Sequence, residues 1–478
     1  MSRAAGRKSQ GEVVVKNGSG LTHPRGALLA CLLLAAPSAP AAAQSIPPDS
    51  MVLSIIRARV DTGRYAGVAV GFVARDGRQQ VTVYGPGAGV TPFDANTVFE
   101  IGSITKTFTA AILADMVARK ELGLDDPVAT HLPPGTKIPE RDGRQITLLD
   151  LATQTSGLPR LPANMVITDA RNPYASYTAA MMYEFLAGYR LPRGIGQQYE
   201  YSNLGMGLLG QALAHRAEKD FETLVSERVL GPLGMRDTRI ALTPDLRARL
   251  APGHNEGGDV VGLWDLPAIA GAGALRSTVS DMLKYVRANA DSTSKPLGSV
   301  LTTTHVRRRP GPVPQVSIGL AWHRSPTPGG RTIVWHNGGT GGYRSFAGFD
   351  ESSGLGVVVL ANSAVSVADI AMHLLDPSVP LAPIPRRRIA IDLAPEVLRR
   401  YVGEYVLAPT FSITISLESG ALYAVATGQP KLPIFAESDS EFFLRAADAQ
   451  LTFTKDSTGA VTGLVLHQNG QNIPGRKK

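Results

Sequence analysis

The sequence contains a single cysteine, Cys31, among its 478 residues. One thiol excludes an intrachain disulfide framework, a Cys-rich zinc site and a Cys-ligated iron–sulfur cluster. Charged residues are also scarce, at 18% of the chain, whereas apolar residues make up 44%. That balance excludes a mainly disordered protein and provides for a large core, and the length predicts two or three domains.

Several catalytic motifs are missing as well. The chain has no Gly-x-Ser-x-Gly nucleophile elbow, no phosphate loop ending in Gly-Lys and no His-Glu-x-x-His zinc helix. The glycine cluster at residues 338–342 does not fit a dinucleotide fingerprint, because no strand–helix unit surrounds it. We therefore predict that the protein uses no metal and no cofactor.

Long apolar runs are absent too. The run at residues 27–36 falls short of the roughly 20 residues that a membrane span needs. Basic residues precede it and small residues follow it, a pattern typical of a secretory signal. We predict a cleaved signal at residues 1–43, with a retained anchor as the alternative. Cleavage implies a periplasmic or secreted product with no stable membrane span, and Cys31 is then an ordinary leader residue.

The net charge of +8 suggests nucleic acid as a partner, but its distribution argues against one. The predicted signal holds five basic residues and one acidic residue, which leaves +4 on the rest of the chain. Two arginine triplets, at residues 307–309 and 386–388, lie beside prolines and have no interleaved aromatic residues. We predict no nucleic-acid binding.

Residues 45–376 mix strand and helix patterns. Alternating or apolar runs followed by turn residues predict strands at both ends of this region, and apolar residues at helical spacing predict helices between them. The predicted strands cover residues 67–73, 80–84, 347–349 and 355–360, and the predicted helices start at 104 and cover 204–230. The order predicts an α+β fold, in which an antiparallel sheet built from N- and C-terminal strands carries flanking helices and a helical subdomain.

A Pro- and Arg-rich segment at residues 377–395 is typical of a linker. Beyond it, residues 396–478 contain short β-rich runs about ten residues apart, separated by Gly, Asp and Asn turns. This spacing predicts a small antiparallel β-barrel or a sandwich, and we favour the barrel. The predicted strands cover residues 412–416, 421–426, 441–444, 451–453 and 461–466.

The sequence contains Ser-x-x-Lys twice. Ser292 and Lys295 lie in a polar stretch with no apolar helix behind it, which predicts a loop. Ser103 and Lys106 begin the apolar-periodic helix, where residues three apart share a face, so the amine can stand beside the hydroxyl. A lysine can activate a serine only if its pKa is lowered. The alternative is a helix cap followed by a surface lysine.

Two further elements carry polar groups suited to catalysis. Tyr201 and Asn203 form the chain's one Tyr-x-Asn, ahead of a Gly-rich helical run, and a core tyrosine with Asn203 as a helix cap is the alternative. His336 follows a predicted strand and precedes Gly338 and Gly339, and a strand-end histidine leading into a loop is the alternative.

In this order, the three motifs resemble those of the serine β-lactamase and penicillin-binding protein family. The resemblance is closest to the branch of class C β-lactamases, D-alanyl-D-alanine carboxypeptidases and esterases. It covers about residues 50–375, including the family-like stretches 147–159 and 271–278. It implies a β-lactamase/transpeptidase-like fold, and the C-terminal region resembles the lipocalin-like domain often appended to such hydrolases.

The resemblance implies a role for each matched residue. Ser103 is expected to be the nucleophile, and Lys106 and Tyr201 are expected to share the proton transfers. Asn203 is expected to hydrogen-bond the substrate amide. Gly338 and Gly339 are expected to lie along the substrate, with the N–H groups of Ser103 and Gly339 forming the oxyanion hole.

His336 departs from the family's usual β-lactamase pattern, which has Lys-Thr-Gly where this chain has His-Asn-Gly. The lysine supplies a permanent charge near the substrate carboxylate, whereas a histidine with a pKa near 6.5 is mostly neutral at pH 7. His-x-Gly variants occur among the family's peptidases and esterases. This departure weakens the expectation of efficient β-lactamase activity and leaves acyl transfer in place.

The sequence therefore predicts an exported serine hydrolase that cleaves an amide, in a β-lactam or a D-amino-acid peptide, through an acyl-serine intermediate. A carboxylesterase of the same family is one alternative, since an ester substrate needs no carboxylate anchor opposite His336. A penicillin-binding sensor that is acylated without turnover is the other. The expected partners are small β-lactam, peptide or ester substrates, and the sequence carries no signal for an oligomeric state.

Overall fold

The computed structural model describes residues 45–63, 65–85, 93–384, 388–409, 411–429, 431–444, 449–468 and 471–478. The predicted signal at residues 1–43 lies outside these ranges, as do Arg386 and Arg387 of the second arginine triplet. Within the described ranges, no helix combines the length and the hydropathy needed to span a bilayer.

Strands and helices are numbered separately in chain order. The strands are β1 (Val68–Val73), β2 (Gln79–Tyr84), β3 (Phe99–Glu100), β4 (Gly253–His254), β5 (Val260–Val261), β6 (Arg276–Ser277), β7 (Arg309–Pro310), β8 (Ser317–Ile318), β9 (His323–Pro326), β10 (Thr332–Gly339), β11 (Arg344–Asp350), β12 (Gly356–Ala361), β13 (Gly403–Ala408), β14 (Phe411–Glu418), β15 (Ala421–Ala426), β16 (Leu432–Ala436), β17 (Glu441–Leu444), β18 (Ala449–Lys455), β19 (Val461–Gln468) and β20 (Gln471–Lys477). The helices are α1 (Asp49–Val60), α2 (Thr105–Ala118), α3 (Leu148–Ala152), α4 (Ala179–Gly188), α5 (Asn203–Arg216), α6 (Phe221–Val225), α7 (Pro244–Ala248), α8 (Ala270–Gly273), α9 (Val279–Ala290), α10 (Gly298–Leu301), α11 (Ala368–Leu375) and α12 (Pro395–Leu398).

The larger sheet is antiparallel and has the order β2-β1-β12-β11-β10-β9-β8-β7. Strand β1 near the start of the described chain pairs with β12 about 290 residues later, with Val70 opposite Val359. The sheet is therefore assembled from N- and C-terminal strands, which confirms the predicted α+β class and its sheet. The segment between β2 and β7 contributes most of the helices.

Both faces of the central strands are covered, so β1 and β12 are buried throughout. Because side chains alternate along a strand, Val70 packs in the cluster that contains residues of α1 and α11, whereas Ala69 packs in the cluster that contains residues of α9 and α2. At Gly71 the helix comes very close, since a Cβ there would lie 2.5 Å from Val279 Cγ1. The sheet is thus the middle layer between two helical layers.

The single helix predicted at residues 204–230 is wrong, because the structure divides it. Helix α5 ends at Arg216, and Glu218 adopts a left-handed conformation with φ of 54°. Asp220 then starts α6 as its N-cap, accepting a hydrogen bond from the Thr223 N–H at 2.8 Å. Because the Asp220 side chain caps a new helix, it favours a break between α5 and α6. The apolar pattern alone does not reveal this break.

Strands β13 to β20 close into an eight-stranded antiparallel barrel. This confirms the predicted barrel and rejects the sandwich. Its core contains a cluster of aromatic rings in which Phe453 lies 4.8 Å from Tyr401 and 5.2 Å from Phe442, between ring centroids. Strands β13, β16 and β20 were not predicted, because their apolar alternation is short or interrupted by proline and charge.

Candidate active site

Ser103 lies in a 3-10 turn, Gly102–Ile104, between β3 and α2. Gly102 has φ of +50°, a left-handed conformation that favours glycine, and a Cβ at this position would lie 2.7 Å from the Gly339 nitrogen. The turn can therefore bring the serine against β10 only because residue 102 has no side chain.

Lys106 lies one turn further along, on α2, and its side chain is fully buried. Its Nζ is 2.9 Å from Ser103 Oγ, 2.8 Å from Asn203 Oδ1 and 2.6 Å from the Ala272 carbonyl oxygen. Burial, and then the charge of Arg160, hold the pKa of this amine well below its usual value. A neutral amine has two N–H donors, which suit the Asn203 and Ala272 oxygens, and one lone pair, which remains for the serine hydroxyl.

Tyr201 precedes α5, and the residue between it and Asn203 caps that helix. Ser202 Oγ accepts a hydrogen bond from the Gly205 N–H at 2.8 Å. The alternative in which Asn203 is the cap is therefore wrong. Because Ser202 serves as the cap, the Asn203 amide is available to bind Lys106.

The Tyr201 ring lies beside the lysine, with Lys106 Nζ 4.8 Å from the ring centroid. Burial raises the pKa of Tyr201 to about 12, and a hydrogen bond with Ser103 and the charge of Arg160 oppose this rise. The phenol is consequently protonated at pH 7 and in contact with the serine. It can pass a proton in either direction once a neighbouring group changes its charge.

Strand β10 continues through Gly339, so the alternative of a strand-end histidine leading into a loop is wrong. The extended backbone lies directly against the turn that carries Ser103, since a Cβ on Gly338 would be 2.0 Å from the Ile101 carbonyl oxygen. Ser345 on β11 donates a hydrogen bond to that same carbonyl at 2.8 Å. Strand and turn are thereby held together.

His336 is almost completely buried, at 1% exposure. Its Nδ1 donates to the Asn337 carbonyl oxygen at 2.5 Å, which leaves Nε2 as an acceptor. Burial, followed by the neighbouring His323 and Lys106, keeps the pKa of His336 well below 6.5. The imidazole is therefore neutral at pH 7, and more firmly so than the sequence predicts.

Ser103, Tyr201, Asn203, Gly338 and Gly339 line one cavity of about 480 Å³. Lys106 and His336 lie behind this wall. The cavity also has lining residues that the sequence did not mark as functional: Arg160, Tyr174, Trp264, His323, Asn337, Thr340 and Arg344.

Arg160 directly follows the family-like stretch 147–159, and this adjacency is the signal that could have identified it. Its carbonyl oxygen accepts a hydrogen bond from the Asn203 N–H at 3.0 Å, which ties it to the start of α5. Its guanidinium carbon lies 5.0 Å from the centroid of the Tyr201 ring. Arg160 thus reaches the cavity from the segment that packs at the start of α5.

Trp264 is held in the cavity wall by a buried ion pair. Glu100 Oε1 accepts from the Trp264 N–H at 2.9 Å, and Arg276 Nη2 donates to the Trp264 carbonyl oxygen at 2.9 Å. The indole meets the Tyr174 ring edge-on, with centroids 5.1 Å apart. Arg276 belongs to the family-like stretch 271–278, but only the tertiary structure brings it together with Glu100, Tyr174 and Trp264.

The chain matches known proteins over both folded regions. A family model described as Beta-lactamase matches residues 52–376, and one described as Domain of unknown function (DUF3471) matches residues 387–477. The D-alanyl-D-alanine-carboxypeptidase/endopeptidase AmpH of Escherichia coli (strain K12) is 31% identical over 338 residues, which cover 67% of this chain and 86% of that protein.

Solved structures share the fold. The D-alanine carboxypeptidase AmpC from Burkholderia cenocepacia matches with a TM-score of 0.58 and 25% identity, over 69% of this chain and 99% of that one. The octameric penicillin-binding protein homologue from Pyrococcus abyssi matches with a TM-score of 0.61 and 21% identity, over 89% of this chain and 99% of that one. The latter likeness extends beyond the sheet domain and concerns the fold alone.

Proposed function

Because the chain belongs to the β-lactamase family and is a serine hydrolase, we propose that it is an exported enzyme that cleaves an amide through an acyl-serine intermediate. The substrate class is a β-lactam or a D-amino-acid peptide. The observation that carries this proposal is the 2.9 Å separation between Lys106 Nζ and Ser103 Oγ at the edge of the cavity.

The first step is attack by Ser103. Neutral Lys106 takes the hydroxyl proton while Oγ bonds to the substrate carbonyl carbon, and the negative charge moves to the carbonyl oxygen. The N–H groups of Ser103 and Gly339 stabilise this oxyanion, each donor contributing about 3–4 kcal/mol in such sites. A Cβ on Gly102 would lie 2.7 Å from the Gly339 nitrogen, and this close approach between the turn of Ser103 and β10 supports the assignment.

The second step is departure of the amine. The C–N bond breaks, and the nitrogen takes a proton from Tyr201, which regains one from protonated Lys106. The acyl group stays on Ser103. Water then attacks the ester carbonyl carbon and gives a proton to the same pair of groups. The bond between Ser103 Oγ and the acyl carbon breaks, Oγ takes that proton back and the acid leaves, so the enzyme returns to its starting state.

Asn203 and the β10 backbone are proposed to orient the substrate. Asn203 lines the cavity while its Oδ1 accepts from Lys106, so its amide NH₂ is available to a substrate carbonyl. Gly338 and Gly339 present main chain without side chains at the same wall. A peptide or β-lactam amide can therefore align along β10, next to the nucleophile.

The remaining assignments are also proposals. Export rests on the signal pattern at residues 1–43. We assign residues 45–376 to the catalytic domain, 377–395 to a linker and 396–478 to a lipocalin-like domain. The closed eight-stranded barrel supports the last assignment.

The test exploits the duplicated Ser-x-x-Lys pattern. Residues 44–478 are incubated with a chromogenic cephalosporin, a D-alanyl peptide and a nitrophenyl ester, as wild type, Ser103→Ala and Ser292→Ala. We expect turnover of at least one amide by wild type and Ser292→Ala, and none by Ser103→Ala. Full activity of Ser103→Ala would contradict the mechanism, turnover of the ester alone would indicate a carboxylesterase, and stoichiometric labelling without turnover would indicate a sensor.

A further inference from the structure

The wall of the catalytic cavity carries two guanidinium groups and, among its described residues, no carboxylate. Arg160 and Arg344 both line it, together with neutral side chains and glycines. Neither arginine forms an ion pair with a described carboxylate. The charge on this wall is therefore positive, and no carboxylate among its described residues neutralises it.

Arg160 has its guanidinium over the Tyr201 ring, at 5.0 Å from the centroid. Its side chain is exposed and donates no hydrogen bond to a described residue. The charge of Arg160 disfavours protonation of Lys106 and so helps to keep that amine neutral. The ring contact therefore leaves the N–H groups of Arg160 available to a ligand in the cavity.

Arg344 reaches the cavity from β11. Its Nη1 donates to the Thr340 carbonyl oxygen at 2.7 Å and to the Tyr343 carbonyl oxygen at 2.9 Å. A Cβ on Gly339 would lie 3.2 Å from this same Nη1, so the guanidinium lies beside the glycine assigned to the oxyanion hole. Its Nε and Nη2 donate to no described residue and remain available to a ligand. Glu256 is the acid whose charge acts on this arginine, and it is outside the wall.

The motif that contains His336, Gly338 and Gly339 supplies no charge at this wall. His336 is buried behind it and neutral. An arginine fork matches a carboxylate in geometry and charge, and such charge-assisted pairs are stronger than neutral hydrogen bonds. We propose that Arg160 and Arg344 bind a carboxylate of the substrate and select carboxylate-bearing amides, in place of the charge that His336 does not provide. This inference rests on the proposed function and specifies its substrate.

The experiment compares one substrate with and without the charge. A chromogenic cephalosporin with a free carboxylate and its methyl ester are assayed with wild type, Arg160→Gln, Arg344→Gln and the double variant. Arg190→Gln is the control, because Arg190 is exposed and is not in the cavity wall. We expect kcat/KM for the acid to fall tenfold or more, mainly through KM, in each pocket variant. Assayed at a pH on the plateau of each variant's pH–rate profile, where Lys106 is neutral with or without Arg160, the methyl ester should change less than about twofold and the control should match wild type.

Equal losses on acid and ester, or no loss on the acid, would overturn the proposal. Measuring binding in a variant that cannot react separates failure of the carboxylate-binding proposal from failure of the proposed hydrolase function. Ser103→Ala is not expected to be acylated, so calorimetry with this variant measures only the non-covalent affinity for each of the two cephalosporins. Tighter binding of the acid than of the ester, with this difference lost when Arg160→Gln and Arg344→Gln are added, would support carboxylate binding by the two arginines. This holds even if the wild type turns over neither compound. Equal binding of the acid and the methyl ester would reject carboxylate binding by the two arginines, whether or not the wild type turns over either compound.

Discussion

The imidazole of His336 lies 5.3 Å from that of His323, and both side chains are almost completely buried. Burial lowers the pKa of His323 to about 4, and the neighbouring Lys106 adds to this effect. Burial likewise lowers the pKa of His305 to about 3, in a site where its ring meets Trp322 edge-on. The core of this region therefore contains imidazoles that burial keeps neutral.

Acidification below pH 6.5 is expected to destabilise the protein through these histidines. In the unfolded chain they titrate near pH 6.5, so between that pH and about 4 the unfolded state binds more protons than the native state. The free energy of unfolding then falls with decreasing pH, by up to about 1.4 kcal/mol per pH unit for each buried histidine. Denaturant unfolding of wild type and His305→Gln at pH 7, 6 and 5 measures this slope.

We expect the slope to be shallower in His305→Gln than in wild type. His215→Gln is the matched control, because His215 is exposed near the end of α5. It should retain the wild-type slope. An unchanged slope in His305→Gln would show that burial does not lower the pKa of this imidazole in the native state.

Arg160 is expected to set part of the acidic limb of the pH–rate profile. After burial, its charge is the second cause that keeps the Lys106 pKa low. Removing it in Arg160→Gln raises that pKa, so the neutral amine needed as base exists only at higher pH. The acidic limb of kcat/KM, measured with an uncharged nitrophenyl ester, should move to higher pH.

Arg160→Lys keeps the positive charge and serves as the control for this shift. Its acidic limb should stay close to that of wild type. A limb in Arg160→Gln that stays in place or moves to lower pH would show that the lysine does not titrate as the base.

Gly338→Ala is expected to impair catalysis while leaving the fold intact. A methyl group there meets the Ile101 carbonyl oxygen at 2.0 Å, so β10 and the turn of Ser103 must separate. A displacement on the order of 1 Å at a catalytic centre costs about 10²-fold in rate. Steady-state kinetics give the loss, and circular dichroism reports the fold.

Gly188→Ala provides the comparison, because a Cβ at Gly188 meets no atom within 4 Å. We expect near wild-type kinetics from this variant. Gly338→Ala with wild-type kcat/KM would mean that the contact between strand and turn does not position the serine.

The sequence predicted the parts of the site that depend on local spacing. Ser103 and Lys106 are three residues apart at the start of a helix, so helical geometry alone brings them together. The strand on each side of residue 350 follows from apolar runs around a turn, and both strands are present. Ordered motifs then connected Tyr201 and His336 to the same chemistry through a family resemblance.

The parts that depend on tertiary contacts were not predictable. Arg344 enters the cavity because β11 pairs with β10, and nothing in its neighbourhood in sequence marks it. Trp264 is placed by a buried ion pair whose members are 176 residues apart. The neutral state of His336 follows from burial, which its own sequence motif does not specify.

Covalent labelling of Ser103 tests the central claim most directly. The protein is mixed with a penicillin, quenched in acid within seconds and digested, and the peptides are analysed by mass spectrometry. We predict a penicilloyl adduct on the peptide that contains Ser103, at equal levels in wild type and Ser292→Ala, and no adduct in Ser103→Ala. An adduct on another residue, or labelling that persists in Ser103→Ala, would contradict the claim that Ser103 is the nucleophile.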